Sequence, residues 1–220
     1  MIKAVIFDMD GLLINSEPLW QISITKVLNS KGVELSIDEC KTTTGMRVDK
    51  VVEYWSLKYP VIKLDLKATV LEILQTIEDL VLEQGKAMPG VYQIIDFFDK
   101  KGISMAVASS SANSLINTVI DKLNLHNKFK VIQSAEYLKY GKPHPEVFIN
   151  TANILNKEPS ECLVFEDSVY GVLSAKSAMM RVVAVPEIEN INNKGFCIAD
   201  KKLKSLEDFN LEIWEELNSI

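Results

Sequence analysis

The chain opens with a strand that has no partner nearby in sequence. Residues 2–7 (IKAVIF) form a short apolar run that stops at Asp8, the pattern of a strand buried on both faces. From about Asn15 to Lys86 no second strand is legible. Apolar residues recur there at helical spacing instead: Trp20, Ile24, Val27 and Leu28; then Val48, Val51, Val52 and Trp55; then Leu66, Val70, Ile73, Leu74, Ile77, Leu80 and Val81. Breaks fall at Lys31-Gly32, Thr42–Gly45 and Tyr59-Pro60. A strand needs neighbours, so its partners must lie beyond this helical block.

They begin after Met88-Pro89-Gly90. Strand-like runs at Ile103–Ala108, Val131-Ile132, Cys162–Phe165 and Val182–Val185 alternate with helical stripes over 91–98, 115–123, 147–155 and 172–179. Alternation of this kind implies a parallel sheet with helices on both faces. The expected fold is therefore α/β: a doubly wound, Rossmann-like parallel sheet with an α-helical domain inserted after strand one. Residues 1–14 and 88–220 would form the core and 15–87 the helical cap. The tail Leu203–Ile220 reads as a terminal helix.

Composition excludes several functions. In 220 residues, 47% are hydrophobic, enough for a real core, and the formal charge of −6 argues against a nucleic-acid binder. Cys40, Cys162 and Cys197 are odd in number and widely spaced, which suits free thiols in a reducing compartment rather than a disulfide or zinc framework. No apolar run approaches the roughly 18 residues of a membrane span, and the first residues lack a signal-peptide core. A soluble, monomeric cytoplasmic protein is expected, with no nucleic-acid or membrane partner.

Ligands of such sheets bind outside the carboxyl ends of the strands. The residues there are Asp8-Met9-Asp10-Gly11, Ser109-Ser110-Ser111 and Glu166-Asp167-Ser168, with Gly141-Lys142-Pro143-His144-Pro145 between the last two. Acids from two strands repel unless a cation sits between them, and Mg²⁺ is the natural one, with Mn²⁺ or Co²⁺ as substitutes. The set suits phosphoryl transfer. Asp8 can attack phosphorus, while the metal and Lys142 offset the charge of the phosphate. Ser109, at a helix start, and Ser110 can hold phosphate oxygens. Asp10 can protonate the leaving alkoxide and then activate water. Gly11 permits the sharp exit into the insertion.

These motifs, in this order, resemble the haloacid dehalogenase-like superfamily. The stretch Asp10–Pro18 followed by a helical insertion resembles its β-phosphoglucomutase-like branch. Glu17-Pro18-Leu19-Trp20, Gly45–Asp49 and Val51–Trp55 are most similar to bacterial 2-deoxyglucose-6-phosphatases and hexitol phosphatases. The resemblance implies a Mg²⁺-dependent hydrolase of small sugar or polyol phosphates, with Asp8 as nucleophile and Asp10 as acid/base. It implies a metal held by Asp8, the Asp10 main-chain carbonyl and Asp167, with Glu166 bound directly or through water. Mutases of this branch carry, at the position of Trp20, a histidine that couples cap closure to the acid/base. A tryptophan there favours a phosphatase, and Asp10 argues against a dehalogenase. A sugar phosphomutase and a catalytically silent binding protein are the alternatives. In the cap, Arg47 is either a substrate contact or a surface arginine. Trp20 either stacks on a sugar or packs the cap, and Trp55 is a core residue.

Overall fold

The computed structural model describes residues 1–219. In chain order the elements are β1 (Ala4–Phe7), α1 (Glu17–Ser30), α2 (Ile37–Cys40), α3 (Val48–Lys58), α4 (Leu66–Gln84), α5 (Val91–Lys100), β2 (Ser104–Ser109), α6 (Asn113–Lys122), β3 (Val131–Ser134), α7 (Glu146–Ile154), β4 (Cys162–Glu166), α8 (Val169–Ser177), β5 (Arg181–Ala184), β6 (Lys201–Lys202) and α9 (Leu211–Ser219). Among the described residues the strands make one sheet in the order β3-β2-β1-β4-β5-β6. Every neighbouring pair is parallel. This is the doubly wound order, and its direction reverses between β1 and β4.

Strand one shows why its run is unbroken by polar residues. Val5 and Phe7 face one layer with Leu163 and Phe165 and the apolar stripes of α5 and α6. Ala4 and Ile6 face the other with Val164, Phe148 and Val172. The second face is lined by Ala4, Ala106, Ala108 and Ala184, so the helices there approach closely. On the first face the rings of Phe7 and Phe165 stack with centroids 5.2 Å apart.

The helices of the insertion have a core of their own, built from Ile24, Leu28, Val33, Val52, Trp55 and Ile73. The helix starts follow their capping residues. The Asp65 side chain accepts from the Ala68 N–H at 3.0 Å, and Ser36 and Glu39 form a reciprocal capping box. Two crossing segments carry the chain into and out of the insertion. The Asn15 N–H donates to the Lys86 carbonyl (3.0 Å), and the Met88 N–H donates to that of Leu13 (3.1 Å). The face of α4 bearing Leu74, Ile77 and Val81 joins the core of the sheet domain.

The tail differs from the expected single helix. Lys201–Lys202 pair with β5 as a charged edge strand, and α9 starts only at Leu211. Between them Ser205 caps a short turn over Leu206–Asp208, with the Asp208 carboxylate accepting from the Ser205 N–H at 3.2 Å. Local Ser/Asp chemistry outcompeted the helix in that stretch. Ile220 lies outside the described residues. Among the described residues no helix is long and apolar enough to cross a membrane.

Candidate active site

The sheet order sets the site. Phe7 pairs with Val107 on one side and Phe165 on the other, so the residues that follow the three strands arrive side by side. The Asp8 N–H donates to the Phe165 carbonyl at 3.0 Å, which brings Asp8 against Glu166. Asp8, Glu166 and Asp167 each offer an oxygen within 4.8 Å of the others. Gly11 makes this crowding possible. Its φ is +73°, and a Cβ there would lie 2.3 Å from Asp167 Oδ2.

Lys142 is the counterion. Its ammonium pairs with Asp8, donates to Glu166 Oε1 at 2.6 Å and to the Ala108 carbonyl at 3.2 Å, and lies 4.9 Å from the centroid of the Phe148 ring. Burial alone would lower its pKa, but Asp8 and Glu166 outweigh that and hold it well above the ordinary lysine range. Burial pushes the Asp8 carboxyl up to about 8 against the pull of Lys142, with repulsion from Glu166 adding to it. Burial, with Glu166 and Asp8 nearby, also raises Asp167 well above the usual carboxylate range. Glu166 is wholly buried, and its Oε2 accepts from both the N–H and the hydroxyl of Ser168 at 2.9 Å. Three crowded carboxylates against one ammonium make a hard-oxygen set with excess negative charge, which fits a divalent cation such as Mg²⁺.

Asp10 lies outside that cluster. Its Oδ1 accepts from the Ser16 hydroxyl (2.6 Å) and the Trp20 indole N–H (2.9 Å), and its Oδ2 from the Ser111 hydroxyl (2.6 Å). Neutral donors from two elements therefore aim this carboxylate: Ser16 and Trp20 at the start of the insertion, Ser111 after β2. The sequence reading of Trp20, stacking or packing, missed this bond. Ser16 occupies the N-cap position of α1, but its hydroxyl is spent on Asp10 rather than on the helix.

The serine run is also placed differently from expectation. Ser109 ends β2 rather than starting a helix; α6 begins at Asn113 with Ala112 as its cap residue. The buried Ser109 hydroxyl accepts from the Ser111 N–H at 3.0 Å. Ser109 and Ser110 both line the cavity with Asp8, Asp10, Lys142 and Asp167. Arg47 lines it too, but its guanidinium is engaged. Nε and Nη2 grip Asp49 at 2.6 and 2.8 Å, and Nη1 donates to the carbonyls of Ala135 and Leu138 at 3.3 and 3.1 Å. Arg47 thereby ties the insertion to the sheet domain. Trp55 is fully buried in the core of the insertion, as expected.

The cavity between the two parts has a volume of about 240 Å³. Sequence reasoning singled out none of Gln21, Thr44, Glu187, Asn190 and Asn193, which also line it, and gave Glu17 no role there. These positions lie in loops and in the first turns of α1, where no periodicity marks them.

A family model described as haloacid dehalogenase-like hydrolase matches residues 5–185. The chain belongs to that family. This hydrolase is 38% identical over 206 residues to hexitol phosphatase B of Escherichia coli (strain K12), covering 93% of each chain. It is 32% identical over 180 residues to a phosphorylated carbohydrates phosphatase of Thermotoga maritima, covering 80% of this chain and 81% of that one. Its fold matches β-phosphoglucomutase from Clostridium difficile with a TM-score of 0.85, at 24% identity, over 100% of this chain and 98% of that one.

Proposed function

We propose that this hydrolase is a Mg²⁺-dependent phosphatase of small sugar or polyol phosphates that works through an aspartyl-phosphate on Asp8. The observation that carries the reading is the different surroundings of two carboxylates two residues apart. Asp8 sits on Lys142 within the acidic cluster, while Asp10 is held outside it by three neutral donors. That difference supports a nucleophilic role for Asp8 and a proton-carrying role for Asp10. The chemistry of the hexitol and carbohydrate phosphatases to which the chain is similar supports the substrate class.

An Asp8 oxygen attacks phosphorus, and the bond from phosphorus to the sugar oxygen breaks. Asp10 gives its proton to the departing alkoxide. Water then attacks the phosphorus of the acyl phosphate, Asp10 takes a proton from that water, and phosphate leaves with Asp8 restored. Lys142 offsets charge on Asp8 and on the transferring group, and Ser109 and Ser110 contact its oxygens. Asp8, Asp167, the Asp10 carbonyl and Glu166, directly or through water, would hold the metal, which supplies electrostatic stabilisation of the phosphoryl oxygens. Residues 15–87 act as a cap over the core formed by 1–14 and 88–220, and the paired crossings at 13–15 and 86–88 support that division.

The free thiols support a reducing, cytoplasmic setting. The test is phosphate release from a panel of sugar and polyol phosphates with Mg²⁺. Release that depends on Asp8 and on the metal is expected. Isomerised sugar phosphate without release would assign a mutase instead, and inertness of the whole panel would make the chain a binding protein.

A further inference from the structure

We propose that Glu17 and Glu187, which both line the cavity, form a charge filter there. It selects phosphomonoesters whose other end is neutral and rejects those bearing a second anion there. The inference rests on the polyol-phosphatase reading above.

A second phosphate or carboxylate on a substrate needs a cation to receive it. Two cationic side chains line the cavity among the described residues, and both are occupied. Lys142 lies between Asp8 and Glu166. Arg47 is locked by Asp49 and two main-chain carbonyls. The same lining carries charge of the opposite sign on Glu17 and Glu187. Glu17 projects from the first turn of α1 with Thr44 as its hydrogen-bond partner, and it feels the repulsion of Asp10 and Glu187. Glu187 comes from the loop after β5, so the two carboxylates approach from the insertion and from the sheet domain.

The hydrogen-bonding inventory points the same way. Carboxylates only accept. Sugar and polyol hydroxyls supply the protons that Glu17 and Glu187 need, whereas an ionised phosphate or carboxylate supplies none and is repelled. The side-chain amides of Gln21, Asn190 and Asn193, which also line the cavity, can donate and accept, which suits several hydroxyls. Like charges a few ångströms apart in a partly solvated cleft translate into about a tenfold discrimination per carboxylate.

The test uses the full chain with Mg²⁺ at about pH 8.5, where Glu17 is ionised, and two substrates that differ only at C1, D-glucitol 6-phosphate and 6-phosphogluconate. The wild type should favour the glucitol ester in kcat/KM by about a hundredfold, roughly tenfold for each carboxylate. Glu17→Gln and Glu187→Gln should each shrink that ratio by about tenfold. High salt should shrink it in the wild type and leave it unchanged in the double variant. Both substrates are measured on one preparation, so partial loss of folded enzyme cancels in the ratio. Equal efficiency on both substrates in the wild type, or a ratio unmoved in both variants, overturns the filter alone. Release from neither substrate overturns the phosphatase reading and the filter with it.

Discussion

Gly171 is the third residue of α8, in its first turn, and helix propensity says that alanine there should stabilise the protein by up to about 1 kcal/mol. The surroundings say the opposite. A Cβ on Gly171 would lie 1.7 Å from both the Cδ and the Oε1 of Glu166. The two cannot coexist, and Glu166 has nowhere else to go, being fully buried and bonded to Lys142 and Ser168. Forcing it out breaks a buried ion pair, which costs roughly 3–5 kcal/mol. Subtracting the gain in propensity leaves Gly171→Ala destabilised by roughly 2–4 kcal/mol, or roughly 5–15 °C in Tm for a chain of this size. Thermal unfolding followed by circular dichroism measures it directly. Gly141→Ala is the control, since a Cβ there meets nothing within 4 Å and should change stability by less than about 0.5 kcal/mol. Phosphatase activity of Gly171→Ala should fall as well, because Lys142 loses one of the carboxylates that aim it. A Tm equal to or above wild type would refute the claim that the glycine is there to seat Glu166.

Trp20→Phe keeps an aromatic ring and removes the N–H that reaches Asp10. A hydrogen bond to a charged group is worth roughly 1.5–3 kcal/mol, so kcat per folded molecule should drop about tenfold or more; wild-type kcat would remove Trp20 from the positioning of Asp10. Burial, with Asp10 and Glu187 nearby, pushes Glu17 up to about 7 from its ordinary 4.5. Between those values the folded chain binds this proton more tightly than the unfolded one, so stability falls as pH rises through the window. Metal-free protein should thus melt at lower temperature at about pH 8 than at about pH 5, and Glu17→Gln should flatten part of that slope; an unchanged slope contradicts the assignment. Mg²⁺ should raise the Tm of the wild type, since only the folded chain gathers Asp8, Glu166 and Asp167, and Asp167→Asn should abolish the rise.

The parts of the fold that were legible are those where one pattern had a single solution. An uninterrupted apolar strand at residues 2–7, cut off from any neighbour by a helical block, could pair only with strands of the alternating segment. Parallel order then brought the strand-end acids Asp8, Glu166 and Asp167 together before any coordinate was needed. The tail was misread because Leu203, Leu206 and Phe209 repeat at a helical interval while Ser205 and Asp208 terminate their own short turn. Residue type alone did not show what Trp20 and Arg47 do. An indole can stack, pack or donate, and a guanidinium can face substrate or a neighbouring aspartate; only the tertiary placement of Asp10 and Asp49 decides. Glu17 was visible as a letter in a motif, but its proximity to Glu187 depends on a loop nearly the whole chain away.

Trapping the covalent intermediate tests the central claim most directly. Asp10→Asn should slow water attack on the acyl phosphate, so a single turnover with p-nitrophenyl phosphate, whose leaving group departs without a proton from Asp10, and with Mg²⁺, quenched in acid and mapped by mass spectrometry, should find one phosphoryl group on the peptide containing Asp8. Sensitivity of that group to hydroxylamine would identify it as an acyl phosphate. Turnover by the wild type together with no phosphorylated peptide in Asp10→Asn, or a phosphoryl group on any residue other than Asp8, would contradict the account.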